Sequence, residues 1–209
     1  MKKRKLEIVL ESLEELERPR PDLEQYMLSG RDAAQFLWLA IGDVVGARVL
    51  DAGCGSGRLL VGAALLGSWH AIGLDIDFCA LLTAKRNALR AGVGGLVDLI
   101  CCDYEKPCLR EVDVVIQNPP FGVQRPHADR VFAKSSIKLA RVVYSMHKAG
   151  DENRKFLREL YSRFGGMVDW IKEDVVELKP TMMHHVKRIY KVKVDIYRIV
   201  RGESWIDAT

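Results

Sequence analysis

The segment Asn118-Pro119-Pro120-Phe121 places an amide, two rigid residues and an aromatic ring directly after an apolar run. The Asn118 side-chain oxygen and the Pro119 carbonyl form a pair of acceptors that suits both N–H hydrogens of an exocyclic amine, such as that of adenine. The prolines restrict the backbone, and the ring of Phe121 offers a surface on which a planar base stacks. A rigid turn followed by a core aromatic residue is the alternative. The pattern predicts that Asn118, Pro119, Pro120 and Phe121 are catalytic and act mainly by positioning.

A glycine-rich loop, D-A-G-C-G-S-G from Asp51 to Gly57, is the second candidate for chemistry. Glycines let the backbone turn tightly and approach a ligand, and the start of the following helix favours an anionic group. Asp75 follows about 20 residues later, where a carboxylate accepts hydrogen bonds from both ribose hydroxyls of a nucleoside cofactor. The alternative is a tight strand-to-helix turn and a surface aspartate.

Two classes of cofactor fit such a loop. Nicotinamide dinucleotides usually require G-x-G-x-x-G, whereas this loop is D-x-G-x-G-x-G. The leading acid, Asp51, suits an amino group, and Asp103 suits an adenine amino group, so S-adenosylmethionine is favoured over a dinucleotide. The predicted cofactor-binding residues are Asp51, Gly53, Cys54, Gly55, Gly57, Asp75, Ile76, Asp103 and Asn118.

Each of these candidates follows an apolar, strand-like run, and helical patterns separate the runs. Such alternation predicts an α/β, Rossmann-like fold, with a mostly parallel seven-stranded sheet and helices on both faces. Residues 168–178 and 189–200 alternate like a closing antiparallel hairpin. Since ligands bind at the carboxyl ends of parallel strands, we expect the candidate residues to meet there. At the N-terminus, an amphipathic helix is predicted on Leu6, Val9, Leu10, Leu13 and Leu16, ending before Pro19.

Composition narrows the classes of protein to consider. Hydrophobic residues make up 48% of the 209 residues, which argues for a packed core and against general disorder. No apolar run reaches the roughly 18 residues of a membrane span. The five cysteines include no C-x-x-C pair, so we predict no metal site and expect reduced thiols, as in the cytoplasm. A net charge of +4 says little alone about nucleic acid.

Several motifs occur in a fixed order: LEQY at Leu23–Tyr26, the glycine loop, NPPFG at Asn118–Gly122 and VYSMHK at Val143–Lys148. With them the chain resembles class I S-adenosylmethionine-dependent methyltransferases. More narrowly, it resembles the methyltransferase-like protein 5 family of small-subunit rRNA adenine-N6 methyltransferases, in a form typical of archaea. The resemblance implies N6-adenine methylation of RNA, most simply of small-subunit ribosomal RNA.

The resemblance also implies that the segment at Gln25 and Tyr26 binds the cofactor by covering its methionine end. Residues 1–30 are therefore expected to form an N-terminal helix and cofactor-covering segment, and residues 31–209 a single methyltransferase catalytic domain. Eukaryotic members of the family pair with a small zinc-ribbon activator protein, so such a partner is an expectation here too.

Basic residues alternate with tyrosines near the C-terminus, a pattern that suits a nucleic-acid backbone. The solvated face of a terminal hairpin is the alternative, and the resemblance favours RNA, whose target base must be unpaired or flipped out. The predicted RNA-binding residues are Arg125, His185, Lys187, Arg188 and Lys191.

Three other functions remain open. DNA adenine and protein glutamine methyltransferases share the NPPF/Y motif, although the former usually add a recognition domain and the latter prefer Tyr at the last position. A non-catalytic RNA-binding assembly factor is the third, and the combination of Asp51, Asp75 and NPPF argues against it.

Overall fold

Seven strands form one mixed sheet in the computed structural model, which describes residues 1–120, 128–178 and 190–202. The strands are β1 (Arg48–Ala52), β2 (His70–Asp75), β3 (Val97–Cys101), β4 (Val112–Gln117), β5 (Ala140–Lys148), β6 (Gly166–Leu178) and β7 (Tyr190–Arg201). Their order is β3-β2-β1-β4-β5-β7-β6, and β7 runs antiparallel to β5 and β6. The predicted fold class, with its C-terminal antiparallel hairpin, is confirmed.

Six helices cover the two faces of this sheet. They are α1 (Lys3–Glu11), α2 (Gly30–Val44), α3 (Arg58–Leu66), α4 (Phe78–Arg90), α5 (Ala128–Leu139) and α6 (Asp151–Arg163), with short 3-10 turns at Pro21–Leu23 and Gly94–Leu96. Helices α1 to α4 contribute to the hydrophobic core on one face, and α5 and α6 to the core on the other. Among the described helices none is long and apolar enough to span a membrane.

The central strands are apolar on consecutive residues because both faces are covered. In β1, Val49 packs into one core and Leu50 into the other, and Val114 and Val115 of β4 divide in the same way. Strands β1, β2 and β3 are parallel and are joined through α3 and α4, so their carboxyl ends lie along one edge of the sheet.

The N-terminal helix is shorter than the sequence pattern predicts. It ends at Glu11, so Leu13 and Leu16 follow it in a non-helical segment. The buried side chain of Asn87 in α4 accepts a hydrogen bond from the Glu14 N–H (2.8 Å) and donates one to the Glu14 carbonyl (3.0 Å). These bonds give both Glu14 backbone groups a partner outside a helix, so the non-helical path after Glu11 leaves neither group unpaired.

Candidate active site

A cavity of about 440 Å³ opens at the carboxyl ends of β1, β2, β3 and β4, on the edge of the sheet where the strand order reverses between β1 and β4. This is the position at which open α/β sheets bind ligands. Its lining includes all the predicted cofactor-binding residues except Gly57, and these are Gln25, Tyr26, Asp51, Gly53, Cys54, Gly55, Asp75, Ile76, Asp103 and Asn118. Residues that follow four different strands therefore meet in one space, as their positions in the sequence predict.

Gly53 and Gly57 have separate roles in the glycine loop. Gly53 has φ +70°, and a Cβ there would lie 3.3 Å from the ring of Phe132, so the glycine lets the loop and this ring approach each other. Gly57 has φ +78°, and a Cβ there would lie 2.8 Å from the Cβ of Ala84. Gly57 lies outside the cavity lining, and its glycine allows α3 to begin against α4.

The carboxylate of Asp75 holds the loop in shape. Its Oδ2 accepts a hydrogen bond from the Gly55 N–H (2.8 Å), and its Oδ1 accepts one from the Asp77 N–H (2.9 Å). Burial raises the pKa of Asp75, and these backbone donors oppose the shift. Each oxygen keeps a second lone pair for a ligand hydroxyl. Asp77 caps α4 by accepting a hydrogen bond from the Cys79 N–H.

Asp51 is the most deeply buried acid of the site, with 1% of its surface exposed. Its Oδ2 accepts a hydrogen bond from the Leu60 N–H (2.9 Å). Burial raises the pKa of Asp51 to about 8, and the nearby Asp75 adds to the shift. A buried carboxylate of this kind is a strong site for a cationic amino group, because a positive partner removes the cost of its charge.

Asn118 lies at the end of β4 and contributes to the cavity lining. Its side-chain oxygen, Oδ1, is buried and accepts no hydrogen bond from any residue that the structure describes. An unmade hydrogen bond at a buried acceptor costs about 1–3 kcal/mol, so this oxygen is poised for a donor on a ligand. Pro119 is buried, Pro120 lines the cavity, and Phe121 lies outside the described residues.

The segment between α1 and α2 forms one wall of the cavity. The Gln25 side chain donates a hydrogen bond to Asp77 Oδ2 (3.0 Å) and accepts one from the Arg20 N–H (2.7 Å), which anchors the segment to the start of α4. Arg58, buried at the start of α3, donates to the carbonyls of Leu28 and Leu13. Hydrogen bonds from Arg58 therefore hold the segment near its start, at Leu13, and near its end, at Leu28.

Sequence reasoning missed part of the wall. Tyr104 and Phe132 both line the cavity, and their rings lie 5.0 Å apart between centroids at 56°. Arg58 also lines the cavity. The positions of Tyr104, directly after Asp103, and of Arg58, directly after the glycine loop, are the only local signals for these residues. No local sequence signal marks Phe132, because this residue reaches the glycine loop from α5, far away in the chain.

Of the predicted RNA-binding residues, only Lys191 lies in the described part of the chain. It is exposed near the start of β7, opposite Glu177 of β6. Because β7 runs antiparallel to β5, the start of β7 lies at the same edge of the sheet as the cavity. Arg125, His185, Lys187 and Arg188 lie outside the described residues.

Comparison with known proteins places this arrangement in a family. Residues 36–119 match the family model of ribosomal protein L11 methyltransferase (PrmA). An uncharacterized protein of Methanocaldococcus jannaschii is 36% identical over 95% of this chain and 94% of its own length. The rRNA N(6)-adenosine-methyltransferase METTL5 of Danio rerio is 30% identical over 95% of this chain and 98% of its own. The chain belongs to the METTL5 family.

A solved structure has the same fold over nearly the whole chain. A protein of Pyrococcus horikoshii, named as a candidate RNA methyltransferase, superposes with a TM-score of 0.89 at 35% identity. The match covers 97% of this chain and 98% of the Pyrococcus chain. The chain is therefore a methyltransferase with the class I, Rossmann-like fold.

Proposed function

We propose that this chain transfers a methyl group from S-adenosylmethionine to N6 of an adenine in RNA, namely small-subunit ribosomal RNA. The observation that carries the proposal is the buried, unpartnered Oδ1 of Asn118 at the cavity, directly before the two prolines. An acceptor with no partner among the described residues, held at the edge of a nucleoside-sized cavity, suits an exocyclic amine. The same chemistry is in the name of the METTL5 relative, which acts on rRNA adenosine.

S-adenosylmethionine is the cofactor, and when bound it supplies an electrophilic methyl group on sulfur. Asp51 holds the amino group of its methionine end, where burial makes a cationic partner favourable. Asp75 accepts from the ribose hydroxyls through the lone pairs that the loop leaves free. Asp103, with Ile76 beside it, contacts the adenine, and Gln25 and Tyr26 cover the methionine end.

Asn118 and Pro119 position the target adenine. The two acceptors bind the two hydrogens of the exocyclic amine and turn its lone pair toward the methyl group. Pro120 stiffens the backbone, and Phe121 stacks on the base. A general base is not required, because the amine proton leaves after the methyl group has been transferred. The chain's contribution to the rate is therefore orientation.

The RNA lies along the edge of the sheet that carries the cavity. Lys191 is exposed at that edge, and the segment that contains His185, Lys187 and Arg188 joins β6 to β7 there. With Arg125 beside the NPPF motif, these residues neutralise phosphates of the RNA backbone. Residues 1–30 cover the cofactor, and the catalytic domain comprises residues 31–209.

A small zinc-ribbon activator is proposed as a partner. Strand β3 is an edge strand, and the adjacent helix α4 exposes Phe78, Leu82 and Leu89. An open strand edge beside exposed apolar side chains suits strand addition by another protein. The proposed location is the cytoplasm, in keeping with five cysteines that are all free thiols.

The first experiment is methylation of unmodified small-subunit RNA with radiolabelled S-adenosylmethionine, followed by mass spectrometry of the nucleosides. The unaltered protein is expected to yield labelled N6-methyladenosine, and Asn118→Ala none, although the variant still binds the cofactor. Asn153→Ala, the same substitution on α6 outside the cavity lining, is the matched control and should be fully active.

Methylation of protein is the second candidate, because the PrmA family model covers residues 36–119. Ribosomal proteins are therefore added to the same assay with the RNA. Label that appears only in protein, with none in RNA or in assembled subunits, would refute the RNA proposal.

A further inference from the structure

Four buried polar side chains form a hydrogen-bonded group that includes Gln117, the residue before Asn118, on the face of the sheet opposite α2 and α3. Gln117 ends β4, Ser145 and His147 lie on β5, and Tyr161 lies on α6. Gln117, Ser145 and Tyr161 have no exposed surface, and His147 is 5% exposed. None of the four lines the cavity. Two of them belong to the VYSMHK motif, to which the reaction as described gives no role.

The hydrogen bonds among these four side chains fit one assignment of donors and acceptors. Gln117 Nε2 donates to Ser145 Oγ (3.0 Å) and to Tyr161 OH (3.3 Å). Ser145 Oγ lies 2.7 Å from His147 Nε2, and Tyr161 OH lies 3.5 Å from the same nitrogen. Each hydroxyl accepts from Gln117 and keeps a hydrogen to donate, and the shorter contact, from Ser145, suits donation to the single lone pair of His147 Nε2. In this arrangement His147 is neutral and carries its proton on Nδ1.

The electrostatics agree with this assignment. Burial lowers the pKa of His147 to about 3, so the imidazole stays neutral throughout the physiological range. Across the sheet His147 is paired with the buried Asp195 of β7, whose carboxylate accepts two hydrogen bonds from Arg154, and the ring of Tyr197 lies edge-on to the imidazole at 5.5 Å. Apolar side chains of similar size would pack in such a place at lower cost than four polar ones. A buried polar network, in which Gln117 Oε1 alone of the hydrogen-bonded groups named here has no partner among the described residues, serves instead to define one geometry.

The position of Gln117, next to Asn118 in the chain, indicates which part of the site this geometry controls. Its backbone pairs in register with Ser145, and its side chain is tied to the same Ser145 and to α6. Gln117 is the residue immediately before Asn118, so its orientation sets the direction in which the chain enters the two prolines. An error of about 1 Å at a reacting group costs on the order of 100-fold in rate.

We propose that Gln117, Ser145, His147 and Tyr161 form a positioning set that aims the Asn118 and Pro119 acceptors at the target amine. The inference rests on the proposed function and adds residues that touch neither cofactor nor RNA. Because they act only on the acceptor pair, their loss lowers kcat and leaves cofactor affinity unchanged.

Two tyrosines provide a matched test. Tyr161→Phe removes a hydroxyl of the network, whereas Tyr197→Phe removes a buried hydroxyl that has no partner among the described residues, beside the same imidazole. We expect kcat to fall about 5- to 20-fold for Tyr161→Phe and to stay within about 2-fold for Tyr197→Phe. An equal effect of the two changes would refute the positioning set.

His147 provides the rescue test. His147→Leu fills the space without an acceptor and is expected to lower kcat on the order of 10- to 100-fold, with the Kd for S-adenosylmethionine unchanged. His147→Gln places an amide oxygen near the position of Nε2 and should restore kcat to within about 3-fold of the unaltered protein. The amount of folded enzyme is counted by cofactor-binding stoichiometry, so that loss of stability does not imitate loss of kcat.

A readout independent of activity completes the test. Nitrogen-15 NMR of the imidazole should show His147 with its proton on Nδ1 and no titration between pH 5 and 8. A proton on Nε2 would refute the hydrogen-bond directions assigned to the network, but it would not contradict the proposed methylation reaction. Activity of His147→Leu equal to that of the unaltered protein would refute the inference alone. Absence of N6-methyladenosine with the unaltered protein would refute the proposed function, and this inference with it.

Discussion

Replacement of Asp51 by Asn is expected to stabilise the fold while it weakens cofactor binding. The carboxyl is 1% exposed and its pKa is raised by burial to about 8, from an ordinary value of 3.8. At pH 7 the unfolded chain holds it ionised, whereas the fold must protonate it or bury its charge. Across the interval from 3.8 to 7, at about 1.4 kcal/mol per unit, the cost reaches roughly 4 kcal/mol.

The sign of this effect sets its pH dependence. Because the folded pKa is the higher one, the stability that this group contributes is complete below about pH 4. It is lost as the pH rises toward 8. Asn keeps an acceptor for the Leu60 N–H and has no charge to bury. The difference in unfolding free energy between Asp51→Asn and the unaltered protein should therefore grow from near zero at about pH 4 to a few kcal/mol at pH 7.

Urea unfolding across this pH range measures the difference, and calorimetric titration measures cofactor affinity. In the unaltered protein, affinity for S-adenosylmethionine should rise by up to about tenfold per pH unit below 8, since the bound amino group requires the ionised carboxylate. Asp51→Asn should bind weakly, with no such rise. Asp113→Asn, an exposed carboxylate that also accepts one backbone N–H, is the control and should show neither effect. A stability difference that is constant with pH would refute the reasoning.

Two further substitutions test how the site is held. Gly57→Ala should lower the unfolding free energy by roughly 2–4 kcal/mol, because it adds backbone strain at φ +78° and a close contact with Ala84. The control, Gly46→Ala, has φ +75° but open space around the new Cβ, so in the same denaturation series it should cost only about 1 kcal/mol. Asn87→Leu removes the partner of both Glu14 backbone groups and of the Ser56 carbonyl, so cofactor dissociation measured by stopped flow should accelerate several-fold. An unchanged dissociation rate would mean that the wall stays closed without Asn87.

The sequence is informative wherever function depends on where a strand ends. Asp75 and Asn118 are far apart in the chain, yet both follow apolar runs, and parallel strands bring such ends to one edge. The fold class and the shared location of these residues could therefore be predicted from periodicity. The roles of the residues are a chemical hypothesis that the Asn118 and Asp51 variants test.

What could not be predicted depends on contacts between distant residues. Phe132 reaches the glycine loop from α5, and no local pattern marks it. The N-terminal helix was wrongly extended to Leu16 because its apolar spacing continues, although Asn87, 73 residues away, competes for the Glu14 backbone. The Gln117 network is hidden for the same reason, since its members come from two strands and a helix.

The single amide of Asn87 also has a consequence for how the chain is made. It donates hydrogen bonds to the carbonyls of Glu14 and Ser56, so one side chain holds both the wall of the cavity and the glycine loop. Leu10 likewise packs where Gly62 leaves room. Helix α1 packs against α2, which follows it in the chain, but the contacts of Leu10 and Glu14 with α3 and α4 form only after those later helices have been synthesised. The cavity wall is therefore completed later than the packing of α1 on α2.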